Sequence, residues 1–214
     1  IDISRAIYYN IRKRISAFFL YFHNKRALLR DGRKEPDNRM IGTELNNMRI
    51  RPYKPCDGDI IAGWLDNEKI FNLWCAGKYQ FPMTGEQLNA RYDAARDNPC
   101  EFMMTAVDDS GVPVGYFLLR DADWEAGSVH MGFIVVDGNK RSRGNGRQML
   151  SLARKYCFEI LGMRRITLGV FHINRRAMDC YEASGFVPYG AEESFTFSGR
   201  EWKVIEMECL KSDE

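Results

Sequence analysis

The chain has 214 residues, 45% hydrophobic and 28% charged, a balance typical of a globular protein with room for one domain and an appendage. No apolar run approaches the ~20 residues that a membrane-spanning helix needs, so we predict no integral membrane span. The formal net charge is +2, but the excess of Lys and Arg lies in residues 1–47. The remainder is mildly acidic, which argues against a nucleic-acid-binding protein.

The cysteines and histidines indicate neither disulfides nor a metal. Six cysteines are scattered without a Cys-x-x-Cys pair, and Cys157 and Cys180 lie within helical patterns. Reduced thiols in a cytoplasmic protein are the simplest interpretation. The three histidines do not cluster at ligand spacing, so we expect no metal site.

The sequence predicts that residues 1–47 form a region separate from the rest of the chain. Apolar residues in 5–22 recur at helical spacing among basic ones, and residues 31–47 have the polar composition of a linker. The predicted amphipathic helix could lie on a membrane surface or a partner, or could cover the core of its own domain. An extension that precedes the true start of the protein is a further interpretation. The second domain is residues 48–214.

The rest of the chain predicts an α/β (α+β) fold, in which a mixed, mostly antiparallel sheet of about six to seven strands is flanked by helices. Strands run first in meanders and then alternate with helices. The predicted strands are residues 48–53, 101–108, 112–120, 128–136, 166–170, 186–197 and 202–210. The predicted helices are residues 58–66, 68–76, 84–96, 147–161 and 174–184.

A glycine loop between a strand and a helix predicts an anion site. The apolar run Phe133–Val136 precedes it, and an amphipathic helix from Arg147 to Leu161 follows it. Backbone N–H groups in such a loop, together with the helix dipole, favour a diphosphate. The spacing fits neither a nucleotide-triphosphate P-loop nor a dinucleotide-binding loop. The residues of this predicted site are Arg141, Ser142, Arg143, Gly144, Asn145, Gly146 and Arg147.

A second motif follows about 30 residues later. Asn174 is a predicted helix N-cap, and Gly185 follows the helix as its C′ glycine. Together, Arg-x-x-Gly-x-Gly and Asn-x-x-Ala-x-x-x-Tyr-x-x-x-Gly-Phe resemble the GNAT acetyltransferase superfamily, in the branch of the ribosomal-protein and polyamine acetyltransferases. The resemblance implies transfer of an acetyl group from acetyl-CoA, the co-substrate, to an amine. It covers residues 48 to 210 and is strongest over residues 129 to 190.

The resemblance also implies roles for single residues. The strand end Ile134, Val135 and Val136 would pair with the amides of the cofactor arm and splay away from the next strand. Asn174 and Ala177 would contact the same arm. Tyr181 would protonate the departing thiolate, because the pKa of a phenol, about 10, lies close to that of a thiol, about 8.5.

The base that deprotonates the amine is less clearly marked. Many relatives have a glutamate in the strand before the loop, whereas this chain has His130 there. Histidine can accept a proton near neutral pH. Glu101 and His172 are weaker candidates.

Two acidic clusters suggest a cationic acceptor. They are Asp121, Asp123 and Glu125, and Glu192 with Glu193. As a rim around the acceptor they would favour a cationic small molecule or a peptide N-terminus. The commoner alternative is that they are solvated loop charges. The aromatic residues Trp64, Phe71, Trp74, Tyr79 and Phe81 either line the acceptor pocket or belong to the core. The oligomeric state stays open and includes a homodimer.

Two other functional classes compete with the enzyme. A non-catalytic acyl-CoA-binding or interaction module would explain the missing strand glutamate. A nucleic-acid-binding protein with a basic arm rests on residues 1–47 alone.

Overall fold

The computed structural model describes residues 48–141, 143–190, 193–197 and 199–212. The helix predicted in residues 5–22 and the linker of residues 31–47 lie outside this part of the chain. Within the described ranges, no helix is both long and apolar enough to cross a membrane.

Eight strands form one mixed sheet, flanked by helices. The strands are β1 (Arg49–Pro52), β2 (Phe102–Val107), β3 (Pro113–Asp123), β4 (Ser128–Val136), β5 (Arg165–Phe171), β6 (Val187–Pro188), β7 (Glu193–Phe197) and β8 (Arg200–Leu210). The helices are α1 (Gly58–Ala62), α2 (Glu68–Cys75), α3 (Gly85–Ala95), α4 (Asn145–Lys155) and α5 (Arg175–Glu182). Short 3₁₀ segments flank α1, and a π-helical turn (Tyr156–Ile160) continues α4.

The sheet order is β1-β2-β3-β4-β5-β8-β6, and β7 pairs with β8. Among these described strands only β4 and β5 are parallel, so the predicted fold class is confirmed. The predicted single strand 186–197 is wrong, since the structure has two short strands there. Gly190 lies between them with φ of +70°, a left-handed conformation that a strand cannot continue through.

Each face of the sheet carries its own core. Alternate residues of a strand face opposite sides, and in β3 Phe117 and Leu119 join one buried cluster while Tyr116 and Leu118 join the other. Helix α4 covers the first face through Met149, Leu150 and Ala153. Ala153 follows Leu150 by three residues and Met149 by four, so all three lie on one face of the helix. Helices α1, α2 and α3 cover the second. Strand β3 is therefore buried on both faces, and its neighbour β4 is held in place against it.

Strands β4 and β5 separate after three residue pairs. The last pair is His130 with Thr167. A bulge in β4 coincides with this point, because Tyr116 pairs with Val135 and Leu118 with Gly132, so that β4 contributes an extra residue. Phe133 lies in the bulge with φ of +50°. Bulges bend a strand and end its pairing, and here the bend leaves an open slot between the two strands.

Candidate active site

The glycine loop between β4 and α4 is fixed by side-chain hydrogen bonds. The Nε of Arg141 donates to the Val136 carbonyl at 3.1 Å, and the Nδ2 of Asn145 donates to the Lys140 carbonyl at 2.7 Å. The Nζ of Lys140 also binds the Asp108 carboxylate at 2.8 Å. Ser142, the remaining predicted residue of the loop, lies outside the described part of the chain.

Helix α4 begins two residues earlier than predicted, at Asn145 rather than Arg147. Gly144 is the N-cap in a left-handed conformation, φ +81°, which suits glycine. The first helical turn closes with the Gln148 N–H on the Gly144 carbonyl at 3.0 Å. The N–H groups of residues 145–147 therefore have no acceptor within the helix and point out of its N-terminus. The free N–H groups of the helix are therefore those of residues 145–147, which belong to the predicted anion site.

Positive charge surrounds this helix N-terminus. Arg143 and Arg147 are exposed beside it. Burial and the nearby charge of Arg176 lower the pKa of Arg141. Cationic groups that repel one another are stabilised by an anion between them, so the loop fits a diphosphate.

Gly146 sets the distance between α4 and α5. A Cβ added at Gly146 would lie 3.2 Å from the Sγ of Cys180. A larger residue would push α5 away from the loop, and with it Tyr181. The two sequence motifs are thus in direct contact.

The slot is bordered on one side by the end of β4. The Val135 carbonyl lies against β3, next to Gly115. Because successive residues of a strand direct their backbone groups to opposite edges, those of Ile134 and Val136 face the slot. The Val136 carbonyl accepts the bond from Arg141. The slot thus offers strand-like hydrogen-bonding groups next to the glycine loop.

Helix α5 carries the second motif. The Oδ1 of Asn174 accepts a hydrogen bond from the Ala177 N–H at 3.3 Å, as an N-cap does. Tyr181 is only 8% exposed and lies in the core beneath α4 and α5. Burial raises the pKa of Tyr181 well above its usual value, so the phenol stays protonated at physiological pH but is a weaker acid than a free phenol.

A cavity of about 490 Å³ lies where β4 and β5 separate. One wall is aromatic, with the ring centroids of Trp74 and Phe133 5.3 Å apart. Tyr79 does not line the cavity but packs against Phe133, with ring centroids 5.4 Å apart. Phe171 borders the cavity from β5. The volume matches that of a small-molecule site.

The polar lining of the cavity combines three cations, one histidine and one carboxylate: Lys78, Arg91, Arg120, His130 and Glu206. The Nδ1 of His130 is 3.1 Å from the Oγ1 of Thr167. Burial and the charge of Arg120 lower the pKa of His130 to about 4. His130 is therefore neutral at physiological pH.

Comparison with known proteins identifies the family. The model of the acetyltransferase (GNAT) family matches residues 67–186, more than half of the chain. The chain belongs to the GNAT acetyltransferase family. It is an N-acetyltransferase that uses acetyl-CoA as its co-substrate, as the two motifs predict.

The relatives and solved structures agree with this assignment. A spermidine N(1)-acetyltransferase of Vibrio cholerae serotype O1 is 24% identical over 168 residues, which cover 78% of this chain and 95% of the relative. The crystal structure of a V. cholerae spermidine N-acetyltransferase with CoA and spermine matches with a TM-score of 0.67 at 24% identity, over 76% of this chain and 95% of the other. A phenylalanine-to-alanine variant of that enzyme matches with a TM-score of 0.62 at 25% identity, over 76% and 94%.

The first of the two acidic clusters that the sequence suggested does not line the cavity between β4 and β5. Asp121 binds Arg120, and Asp123 accepts hydrogen bonds from the N–H groups of Glu125 and Ala126, so that it stabilises a turn. None of these three carboxylates lines the cavity. Glu192 and the side chain of Glu193 lie outside the described part of the chain.

The weaker base candidates are also held elsewhere. Glu101 binds the Nε of Arg91 at 2.9 Å, and the Nδ1 of His172 is 3.4 Å from the Lys203 carbonyl. Neither lines the cavity. Of the five aromatic candidates Trp74 does so, whereas Phe71 is buried with α1 and α3.

The sequence did not single out four charged residues of the cavity, namely Glu206, Lys78, Arg91 and Arg120. Glu206 is the carboxylate among them. It lies on β8 opposite Gly169 of β5. A Cβ added at Gly169 would lie 2.8 Å from the Oε1 of Glu206, so the carboxylate extends across the glycine. The signal in the sequence is the alternation of Glu206 and Glu208 on one face of a strand, but their partners come from the fold. In the described ranges no group of three His, Cys, Asp or Glu residues could hold a metal.

Proposed function

We propose that this protein transfers the acetyl group of acetyl-CoA to a primary amine held in the β4–β5 cavity. The amine attacks the thioester directly, while both substrates are bound. The observation that supports this proposal is the order of the groups along β4, which leads from His130 at the cavity through the strand end at Ile134 and Val136 to the glycine loop.

Donor binding divides between the loop and the strand. The N–H groups of residues 145–147 and the guanidinium of Arg141 bind the diphosphate, and the edge of β4 at Ile134 and Val136 binds the amides of the cofactor arm. An N–H of this strand end stabilises the oxyanion as the amine attacks the carbonyl carbon. Asn174 and Ala177 border the arm from the start of α5.

The pKa of His130 limits its role as a base. The difference between the pKa of an alkylammonium, about 10.4, and that of His130, about 4, corresponds to about 9 kcal/mol. Direct removal of a proton from the ammonium by His130 is therefore too costly. Once the C–N bond forms, the nitrogen becomes a far stronger acid, and neutral His130 then accepts its proton.

Tyr181 supplies the proton that the departing thiolate needs. Its phenol stays protonated because burial raises its pKa. Its helix is held against the loop helix at the Gly146–Cys180 contact. Asn174, at the start of the same helix, anchors its first turn.

The acceptor class is a primary amine of a small molecule or of a peptide N-terminus. Spermidine is the first compound to test, because the relatives are named for it. Glu206 supports an amine, since a carboxylate in the cavity attracts an ammonium group.

The deciding experiment follows thiol release from acetyl-CoA on the full chain, against polyamines, aminoglycosides, amino acids and peptides. We expect at least one amine to be acetylated, with the product confirmed by mass spectrometry. Binding of CoA without acetylation of any amine would overturn the proposal and favour an acyl-CoA-binding module.

A further inference from the structure

We infer that the acceptor carries an anionic oxygen group, a carboxylate or a phosphate, in addition to its amine. This inference rests on the proposed function and narrows the substrate class of the same cavity. It follows from the charged residues that line the cavity. A site for a polycation would be expected to be lined mainly by carboxylates, whereas this cavity is lined mainly by cations.

The lining contains three cations and a single carboxylate. Lys78 follows α2, Arg91 lies on α3, and Arg120 lies on β3. Their origin in three separate elements means that the fold brings them together at the cavity. A spermidine-like chain, which carries only positive charges, would meet three cations and one carboxylate in this lining.

The carboxylates paired with the two arginines lie outside the lining. Glu101 binds the Nε of Arg91 and is 12% exposed, while Asp121 binds one terminal nitrogen of Arg120. Each bond uses one edge of a guanidinium, which has five N–H donors. The bonds fix the two guanidiniums in place, and an anion in the cavity can approach their remaining donors.

Lys78 is exposed at the cavity and has no carboxylate within ion-pair distance among the residues that the structure describes. Its flexible side chain can reach an anionic group near the entrance. Phosphate and carboxylate groups are the anions that lysine and arginine bind in proteins.

The position of Glu206 completes the pattern. It borders the cavity from β8, which pairs with β5, whereas Arg120 lies on β3, which pairs with β4. An acceptor with one ammonium and one anionic group can place the ammonium near Glu206 and the anion near the arginines. The aromatic wall of Trp74 and Phe133 accommodates an apolar body between them. The cations also lower the pKa of an ammonium in the cavity, which favours the neutral amine that attacks.

The test compares matched acceptors with and without the anionic group. Phenylalanine is compared with phenylalaninamide, and glucosamine 6-phosphate with glucosamine, using acetyl-CoA and the full chain. We expect at least one anionic member to exceed its neutral partner about ten-fold or more in kcat/KM, and to exceed spermidine. The amine of phenylalaninamide is the less basic one, so a preference for phenylalanine cannot arise from a more abundant neutral amine. The pair that responds identifies the anion as a carboxylate or a phosphate.

A variant of Lys78 gives a second measurement. Because Lys78 is exposed, its substitution should not disturb folding. Lys78→Glu should lower the anionic-to-neutral ratio several-fold and raise the rate with spermidine. Lys69→Glu, on the exposed surface of α2, is the matched control and should leave the ratio unchanged.

The outcomes separate the inference from the proposed function. Acetylation of spermidine or of the neutral members at rates equal to or above the anionic ones would overturn the inference and leave the acetyltransferase intact. Acetylation of none of the five amines, with CoA bound, would count against both.

Discussion

The donor side and the acceptor side of the slot are built in different ways. The donor side comes from two contiguous motifs, residues 141–147 and 174–186, which touch at Gly146 and Cys180. The acceptor side draws its polar side chains from α3, β3, β4, β8 and the segment after α2. One side is encoded locally, whereas the other exists only after the sheet has formed.

This difference follows from the groups that each side uses. A diphosphate is bound by backbone N–H groups, whose arrangement depends on a short run of residues such as Gly144 and Asn145. An amine of a particular shape is bound by side chains, and side chains converge from distant parts of the chain. Changes on the donor side should therefore affect all acceptors equally, and changes on the acceptor side should distinguish among them.

The largest effect should come from Tyr181→Phe, which removes the proposed proton donor and little volume. We expect kcat to fall about 100-fold or more with every acceptor, since a general acid contributes 10² to 10⁴. The affinity for CoA, measured by calorimetry, should stay unchanged. Tyr156→Phe, in the π-helical turn after α4, is the control and should retain its activity. Equal turnover in Tyr181→Phe and wild type would remove Tyr181 from the mechanism.

A smaller effect should follow Gly144→Asp, which places a negative charge at the diphosphate site. Aspartate tolerates the left-handed backbone, and an added side chain has open space at this position. We expect the Kd for CoA to rise about 30-fold from the repulsion between the charges. Gly144→Asn should have a much weaker effect, which separates charge from shape.

The control for this prediction is Gly111→Asp. Gly111 has the same φ of +81° and equally open space, but lies in the turn between β2 and β3. Its affinity for CoA should match that of wild type. A similar loss in both aspartate variants would show that backbone strain, rather than the loop's anion site, explains the result.

The smallest effect concerns stability and belongs to the acceptor side. The pKa of His130 is about 4 in the folded protein and about 6.5 in the unfolded chain, so below pH 6.5 the unfolded state binds the extra proton. Stability is therefore lost as the pH falls from 6.5 toward 4. Between pH 7 and pH 5.5 we expect His130 to contribute a loss of about 1 kcal/mol. Urea unfolding of His130→Gln should show a shallower decline than wild type, and identical slopes would contradict the lowered pKa.

The sequence predicted the fold class, the glycine loop and the order of most elements because these depend on local patterns. It missed the start of α4 by two residues, since Gly144 works as an N-cap through its left-handed backbone rather than a side chain. It also joined β6 and β7, because the apolar pattern does not reveal the conformation of Gly190.

The cavity lay beyond the reach of sequence patterns. His130 was found because it precedes the glycine loop, but its lowered pKa depends on burial in the fold and on the charge of Arg120 on the neighbouring strand. Glu206 becomes a cavity residue only because β8 pairs with β5 and Gly169 leaves space for its carboxylate. Asp121 and Asp123 of the first acidic cluster are used in an ion pair and a turn, as the solvated-loop alternative expects.

The initial-velocity pattern tests the central claim, that donor and acceptor are bound together on the two sides of the slot. Acetyl-CoA and the best amine are varied against each other, and thiol release is followed. Direct attack predicts that the double-reciprocal lines intersect. Parallel lines would contradict it and indicate an acetylated enzyme, for which Cys75, which borders the cavity but is only 1% exposed, would be the residue to examine.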